Sequence, residues 1–456
     1  MKGIVHRRLR TAILIYVVAI IGLLLGLRGG YISPPMRLVF PAFLSLLVCP
    51  TLFWWLWMDE WTAAFGTPRD SENRSGRRSG FITVTRIVLG LYTLATLAPV
   101  ALLLFGRRAY DALPVPMLMW LMAWHLSVAL AGLIGLIVWL PWIGVTGAGR
   151  LLRRPGPDAV EARQPDAGEG PRMGRRALIT GAVTCAPILL AGGTVASGLR
   201  QQGRFIIRRI EMRLPRLPER LKGLTITHLS DFHVGRLFRP EHLGRVVEAT
   251  NKLKSDLIAI TGDTVDHSAD FLPAACDAFA QMESRYGRYV VIGNHDLMDS
   301  PREAVRYIEQ REPDYLSDRC RTLEISGEWL RIAGLFWSRY DRAKFGAPGH
   351  YERVHEMLGG TDPKICTVAL AHHPHAFDAL ADAGADLTLA GHTHGGQLML
   401  TPPGSPVPIG GGNILFRYIW GEYRRGDAAL YVNSGVGNWF PVRFNAPAEI
   451  VQIRLV

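Results

Sequence analysis

The chain has 456 residues, 48% of them hydrophobic, with a formal net charge of +12; it is too long for one ordinary domain and long enough for two or three. Residues 1–200 hold 21 Lys and Arg against 9 Asp and Glu, whereas residues 201–456 hold 30 of each. A basic excess confined to one half, as Arg between apolar runs, suits the loops of a membrane protein and argues against a nucleic-acid partner.

Four long apolar segments come first, at about 11–27, 38–57, 81–105 and 114–145. Each reaches the roughly 20 residues that a helix needs to cross a bilayer, so 1–150 reads as a four-helix transmembrane region. Trp54, Trp55, Trp57, Trp61, Trp139 and Trp142 fall at segment ends, where an interfacial belt would place them. Residues 151–176 are rich in Arg, Pro and Gly and read as a flexible cytoplasmic loop. A fifth apolar run, 177–199, follows Arg175-Arg176. It reads as a fifth transmembrane helix or as a twin-arginine signal-like helix, and both give one topology.

Four Arg in the 58–80 loop and seven in the 146–176 loop face only two in each intervening loop. Positive-inside counting then puts the N-terminus in the cytoplasm. Everything after about 200 falls on the outer side, the periplasm of a bacterium whose inner membrane holds the chain. Cys49, Cys185, Cys276, Cys320 and Cys366 form no C-x-x-C pair, which leaves no zinc knuckle or thioredoxin-type motif. A disulfide among the last three stays open.

From about 205 to 456 short β-branched runs alternate with helical stretches, the pattern of an α/β domain. "LTITHLS", "DLIAIT", "YVVIG", "LRIAGL", "TVALA", "DLTLAG" and "LYVNS" read as strands. "PEHLGRVVEATNKL", "PAACDAFAQMES" and "PREAVRYIEQ" read as helices. Five strand ends each deliver Asp, Asn or His into a loop: Asp231 and His233; Asp263 and Asp266; Asn294, His295 and Asp296; His372, His373 and His375; His392 and His394. Asp and Asn often start turns, and a lone His is commonly structural, but five such loops in register point to one cavity. The period-2 pleat predicts that Asp231 with His233, and His392 with His394, point to the same side. Asp and His suit Mn, Fe or Zn, and a set this large exceeds what one ion requires.

D-x-H, G-D-x-x-D, G-N-H-D, a His before x-Pro, and G-H-x-H, in this order, resemble the calcineurin-like metallophosphoesterase superfamily. "LSDFHVG", "GHTHGGQ" and "VNSGVG…PVRFNAPAEI" are similar to its membrane-anchored or exported bacterial branch. The resemblance implies a four-layer β-sandwich flanked by helices over 205–456, preceded by the multi-pass helical region. It implies two divalent ions: Asp231, His233 and His394 on one, Asn294, His372 and His392 on the other, and Asp263 bridging. His295 would hydrogen-bond the phosphoryl or leaving oxygen as the catalytic residue, and Asp266 and Asp296 would orient neighbours. His373 and His375 are weaker candidates than His372; His228, His267 and His350 are expected not to be ligands. The implied reaction is hydrolysis of a phosphodiester by metal-activated hydroxide.

Two aromatic–basic stretches, "FWSRYDRAKFGAPGHYER" and "PVPIGGGNILFRYIWGEYRRG", suit contact with a headgroup or bilayer as well as ordinary loop packing. A phospholipid or a lipid-linked pyrophosphate is the expected phosphoester partner, with the membrane itself. The alternative is a membrane protein whose module binds a phosphate ligand with little or no hydrolysis.

Overall fold

The computed structural model describes residues 175–337 and 348–456 apart from 406, 415, 439 and 441, together with 114–128 and a few positions between 51 and 94. The chain divides into two compact units, Met1–Ala196 and Ser197–Val456.

In the first unit a helix over 115–128 buries Met119, Ala123 and Trp124. Trp54 stands edge-on to Trp124, ring centres 4.7 Å apart. It is buried there. Val84, Ile87, Leu91 and Leu94, by contrast, are all more than half exposed. Most of the four expected spans lies outside the described residues, and among those described no helix is long and apolar enough to cross a membrane. The fifth run is helical from the arginine pair onward, in the helix Arg175–Gln201, with Pro187 inside it.

The second unit holds two sheets. The first has the order β1-β11-β2-β3-β4, from β1 (Ile206–Met212), β2 (Thr225–Leu229), β3 (Leu257–Thr261), β4 (Arg288–Val291) and β11 (Glu449–Leu455). The second has the order β5-β6-β7-β8-β10-β9, from β5 (Arg319–Ile325), β6 (Glu328–Gly334), β7 (Cys366–Leu370), β8 (Leu387–Ala390), β9 (Gly421–Arg425) and β10 (Ala428–Val432). β2, β3 and β4 run parallel, as do β6, β7, β8 and β10, so their carboxyl ends lie along one edge of each sheet.

Side-chain alternation builds the layers. Leu257 and Ala259 of β3 point between the sheets, where they join Val368 and Leu370 of β7 and Leu387 and Leu389 of β8. Ile258 and Ile260 point the other way, onto helices α1 (Leu243–Leu253), α2 (Leu272–Ala280) and α3 (Pro301–Arg311). Ala369 and Ala333 lie under α4 (Pro348–Leu358) and α5 (Phe377–Asp382) on the far face. The result is helix, sheet, sheet, helix, with every apolar face covered. α1 shows why such a sequence is helical: Leu243, Val246, Val247, Thr250 and Leu253 bury one stripe at helical spacing.

All seven expected strands and three expected helices are present. β1, β5, β9 and β11 were not foreseen, because three of them expose charged residues and the fourth depends on a distant partner. β5 and β6 form a hairpin through Ser326 and Gly327, both with positive φ (54° and 80°), the backbone of a two-residue type I′ turn. Cys276, Cys320 and Cys366 are free thiols.

Candidate metal centre

The five loops that follow β2, β3, β4, β7 and β8 come from both sheets and meet at one edge of the sandwich. Their backbones are unusual. Asp231, His233, Asp263, His392 and His394 all have positive φ, between 47° and 72°. Left-handed backbone costs a non-glycine residue about 1 kcal/mol or more, and it persists where surrounding contacts over-determine it. This corrects the pleat argument: β2 ends at Leu229 and β8 at Ala390, so the paired residues are not in strand at all. Each pair converges because left-handed turns swing both side chains inward, while Phe232 between Asp231 and His233 goes into the core.

Two clusters result. In the first, His233 Nε2 and His394 Nε2 are 2.8 Å apart. Asp231 Oδ1 lies 3.4 Å from His394 Nε2 and 3.9 Å from His233 Nε2. In the second, His372 Nε2 stands 3.1 Å from each of Asp263 Oδ2, Asn294 Oδ1 and His392 Nδ1. Asp231, His233 and His394, and likewise Asp263, His372 and His392, bring one ligand atom each within 4.8 Å of one another. Asp263 Oδ2 also lies 3.4 Å from His233 Nε2, so a single carboxylate oxygen reaches both clusters.

The donor set fits cations. His372 Nδ1 faces the Thr261 carbonyl at 2.8 Å and must donate to it, which turns the Nε2 lone pair toward three further acceptors. Converging acceptors repel one another unless a proton or a metal ion stands among them. The charge state follows: Asp263 and Asp231 hold the His372 ring protonated, with its pKa up to about 9 against the cost of burial. Burial, and then the charge on His372, push His392 down to about 3. Burial alone would raise Asp263, yet His372 and His295 hold it well below the usual carboxylate range. At His394, the Arg443 guanidinium can only donate and sits 3.1 Å from Nδ1, so the neutral ring carries its proton on Nε2.

Supporting groups fix the loops. Asp296 is buried and accepts the amides of Val265 (3.1 Å) and Gly293 (2.9 Å), tying the β3 loop to the β4 loop. Asp266 touches His233 Nδ1 (3.5 Å), His267 Nδ1 (2.9 Å) and His295 Nδ1 (3.4 Å). His295 donates its amide to Asp263 (2.8 Å), and its Nδ1 lies 2.5 Å from the Asp266 carbonyl. At Gly391 a Cβ would collide with Ser230 and the Asp231 carboxylate, and at Gly293 with Asp263. These glycines admit the carboxylates to the backbone.

His228 lies in β2, buried, 2.9 Å from Thr261 Oγ1 and away from both clusters. His267 pairs with Asp266 and belongs to neither. His373 stacks near His392, ring centres 4.5 Å apart, and accepts the His375 amide on Nδ1 (3.2 Å). The side chain of His350 and most of "FWSRYDRAKF" lie outside the described residues. Sequence reasoning missed Arg443, which is buried and donates to the carbonyls of His394, Ala446 and Gly437. Its signal was the "PVRFNAPAEI" stretch, where an Arg among apolar residues has to find buried acceptors. Also missed was Phe416, edge-on to His392 at 5.4 Å.

Residues 224–396 match the calcineurin-like phosphoesterase family. The chain is 30% identical over 254 residues to a transmembrane protein with metallophosphoesterase domain from Danio rerio, covering 54% of this chain and 56% of that one. It is 29% identical over 238 residues to an uncharacterized metallophosphoesterase of Helicobacter pylori (strain J99), covering 52% of this chain and 60% of that one. The uncharacterized metallophosphoesterase YkuE of Bacillus subtilis is 29% identical over 250 residues, 52% of this chain and 81% of its own length. The chain thus spans a little over half the length of the first two. With five ligand-bearing loops on a two-sheet sandwich and this match across them, residues 224–396 are similar to the calcineurin-like phosphoesterases.

Proposed function

We propose that the chain is a membrane-anchored, dinuclear-metal phosphoesterase of the bacterial branch that hydrolyses phosphodiester bonds, its substrate a phospholipid or a lipid-linked pyrophosphate. The observation that carries this is Asp263 Oδ2, 3.1 Å from His372 Nε2 and 3.4 Å from His233 Nε2. One oxygen reaching both clusters is what two ions sharing a bridge require. Asp231, His233 and His394 would hold one ion, Asn294, His372 and His392 the other, and Asp263 both. Two divalent ions (Mn, Fe or Zn) would supply an activated water and neutralise the phosphoryl oxygens. His295, held through Nδ1 by Asp266, keeps Nε2 for a phosphoryl or leaving oxygen. Asp266 and Asp296 orient the histidines and loops.

Membrane anchoring is supported by the five apolar runs, by the exposed apolar side chains of the first unit, and by the Danio rerio relative's description as a transmembrane protein. The arginine distribution supports an outward-facing catalytic unit. A reporter fused after Val456 that works only in the cytoplasm would overturn that placement.

The catalytic reading is tested with bis-p-nitrophenyl phosphate and added Mn²⁺. Asp263→Asn is expected to lower the rate roughly a thousandfold or more, with circular dichroism unchanged. An undiminished rate sinks the two-metal assignment. Equally negligible rates in the wild type and in a His392→Ala/His394→Ala variant would favour a phosphate-binding module instead.

A further inference from the structure

We infer that Leu400, Val407, Ile409 and Phe444 form a surface that rests on the phospholipid bilayer and holds the mouth of the metal centre at headgroup level. The inference rests on the membrane-anchored reading above. These side chains are 77%, 65%, 49% and 60% exposed. Single exposed apolar residues need no explanation, but three of these four share one patch of backbone. The Leu400 amide donates to the Ile409 carbonyl (2.8 Å), and the Met399 amide to the Phe444 carbonyl (2.9 Å). The Phe444 amide in turn donates to the Gln397 carbonyl (2.8 Å), one residue past the turn that carries His394.

Two observations select a bilayer as the occupant. The segments 398–420 and 436–446 contain no Asp or Glu, although residues 201–456 hold 30 of them. Arg417, beside the patch in sequence, is 57% exposed although it pairs with Asp378 (3.4 Å). An apolar surface whose own segments carry basic and no acidic residues suits anionic lipid. Second, Phe444 is fastened to the end of an apolar helix. Gln201, the last residue of Arg175–Gln201, accepts the Arg443 amide on Oε1 (2.9 Å) and donates Nε2 to the Arg443 carbonyl (3.1 Å). Residues 177–199 of that helix carry no charge. The Arg443 side chain continues inward to His394. Gln201, the apolar patch and the ligand loop are therefore in continuous contact within the second unit.

The test uses the full chain in nanodiscs of phosphatidylglycerol and phosphatidylethanolamine, with benzoylphenylalanine placed at position 400, 444 or 329. Trp329 is 50% exposed but stands near the amino end of β6, away from the ligand loops. Lipid adducts, read by mass spectrometry, are expected to be at least tenfold more abundant at 400 and 444 than at 329. Equal yields at all three positions, no lipid adduct at 400 and 444, or adducts to a second copy of the chain would each overturn the inference. The wild type's Mn²⁺-dependent hydrolysis of bis-p-nitrophenyl phosphate in detergent reads the catalytic proposal separately. A Leu400→Ser/Val407→Ser variant is expected to keep that soluble activity within twofold while lipid adducts from benzoylphenylalanine at position 444 fall at least fivefold. Adducts at 444 unchanged by the two substitutions would also overturn the inference.

Discussion

The two ligand clusters use the same residue types and differ in access. Asp231, His233 and His394 are no more than 1% exposed, and Arg443 backs them from the protein side. In the second cluster Asp263 and His372 are buried, but His392 and Asn294 are half-buried, and His295 beside them is too. Burial thus divides the labour. Left-handed backbone occurs in both clusters, so burial alone makes the sealed cluster the one suited to an ion that stays, while the open one faces solvent beside Phe416.

Removing a ligand from each side gives the largest expected effect. His394→Ala opens a buried gap against Arg443; it should lose about one ion per chain by elemental analysis and roughly a thousandfold in rate, with no recovery in millimolar Mn²⁺. His392→Ala should lose the other ion and roughly a hundredfold in rate, partly restored by millimolar Mn²⁺ because that cluster is open to exchange. Equal recovery in both variants would erase the distinction drawn from burial. Asp296→Asn touches neither cluster directly and orphans one of two buried amides; a fall of about 10- to 100-fold in rate or metal affinity is expected.

The smallest effect sharpens the contrast from outside, at a histidine that faces no cluster. Burial pushes the His228 pKa down to about 3 from its ordinary value of 6.5. The folded chain then binds fewer protons there than the unfolded one. Its contribution is intact above pH 6.5 and is lost as the pH falls toward 3, on the order of 3 kcal/mol by pH 4. Thermal unfolding between pH 7 and 4 should therefore be less acid-sensitive in His228→Gln, which can keep the bond to Thr261, while its Mn²⁺-dependent rate at pH 7 stays near wild type. An identical pH slope would show that other groups carry the acid sensitivity.

The candidate site was legible because its residues fall in short runs just after apolar strands, and both signals are local. The strands that escaped notice lack that advantage. β1 reads "IIRRIEM" and is largely exposed, so no alternation marks it. β11 is apolar enough, but its place between β1 and β2 depends on residues more than 200 positions away. The buried Glu449 at its start makes sense only there, where Arg208, Trp420, Tyr431 and the Ser434 amide converge on it.

From the sequence alone came the α/β class, the five ligand-bearing loops, the chemistry of Asp, Asn and His, and the split between a basic apolar half and a neutral one. Those follow from periodicity, composition and spacing, which act over a few residues. Tertiary structure alone decided which ligands share a cluster, which cluster is sealed, and that Asp263 reaches both. It also decided that left-handed backbone aims the side chains, and that Arg443 and Gln201 join a ligand to the end of an apolar helix. Contacts between residues hundreds apart in sequence are settled by packing, and no local pattern encodes them.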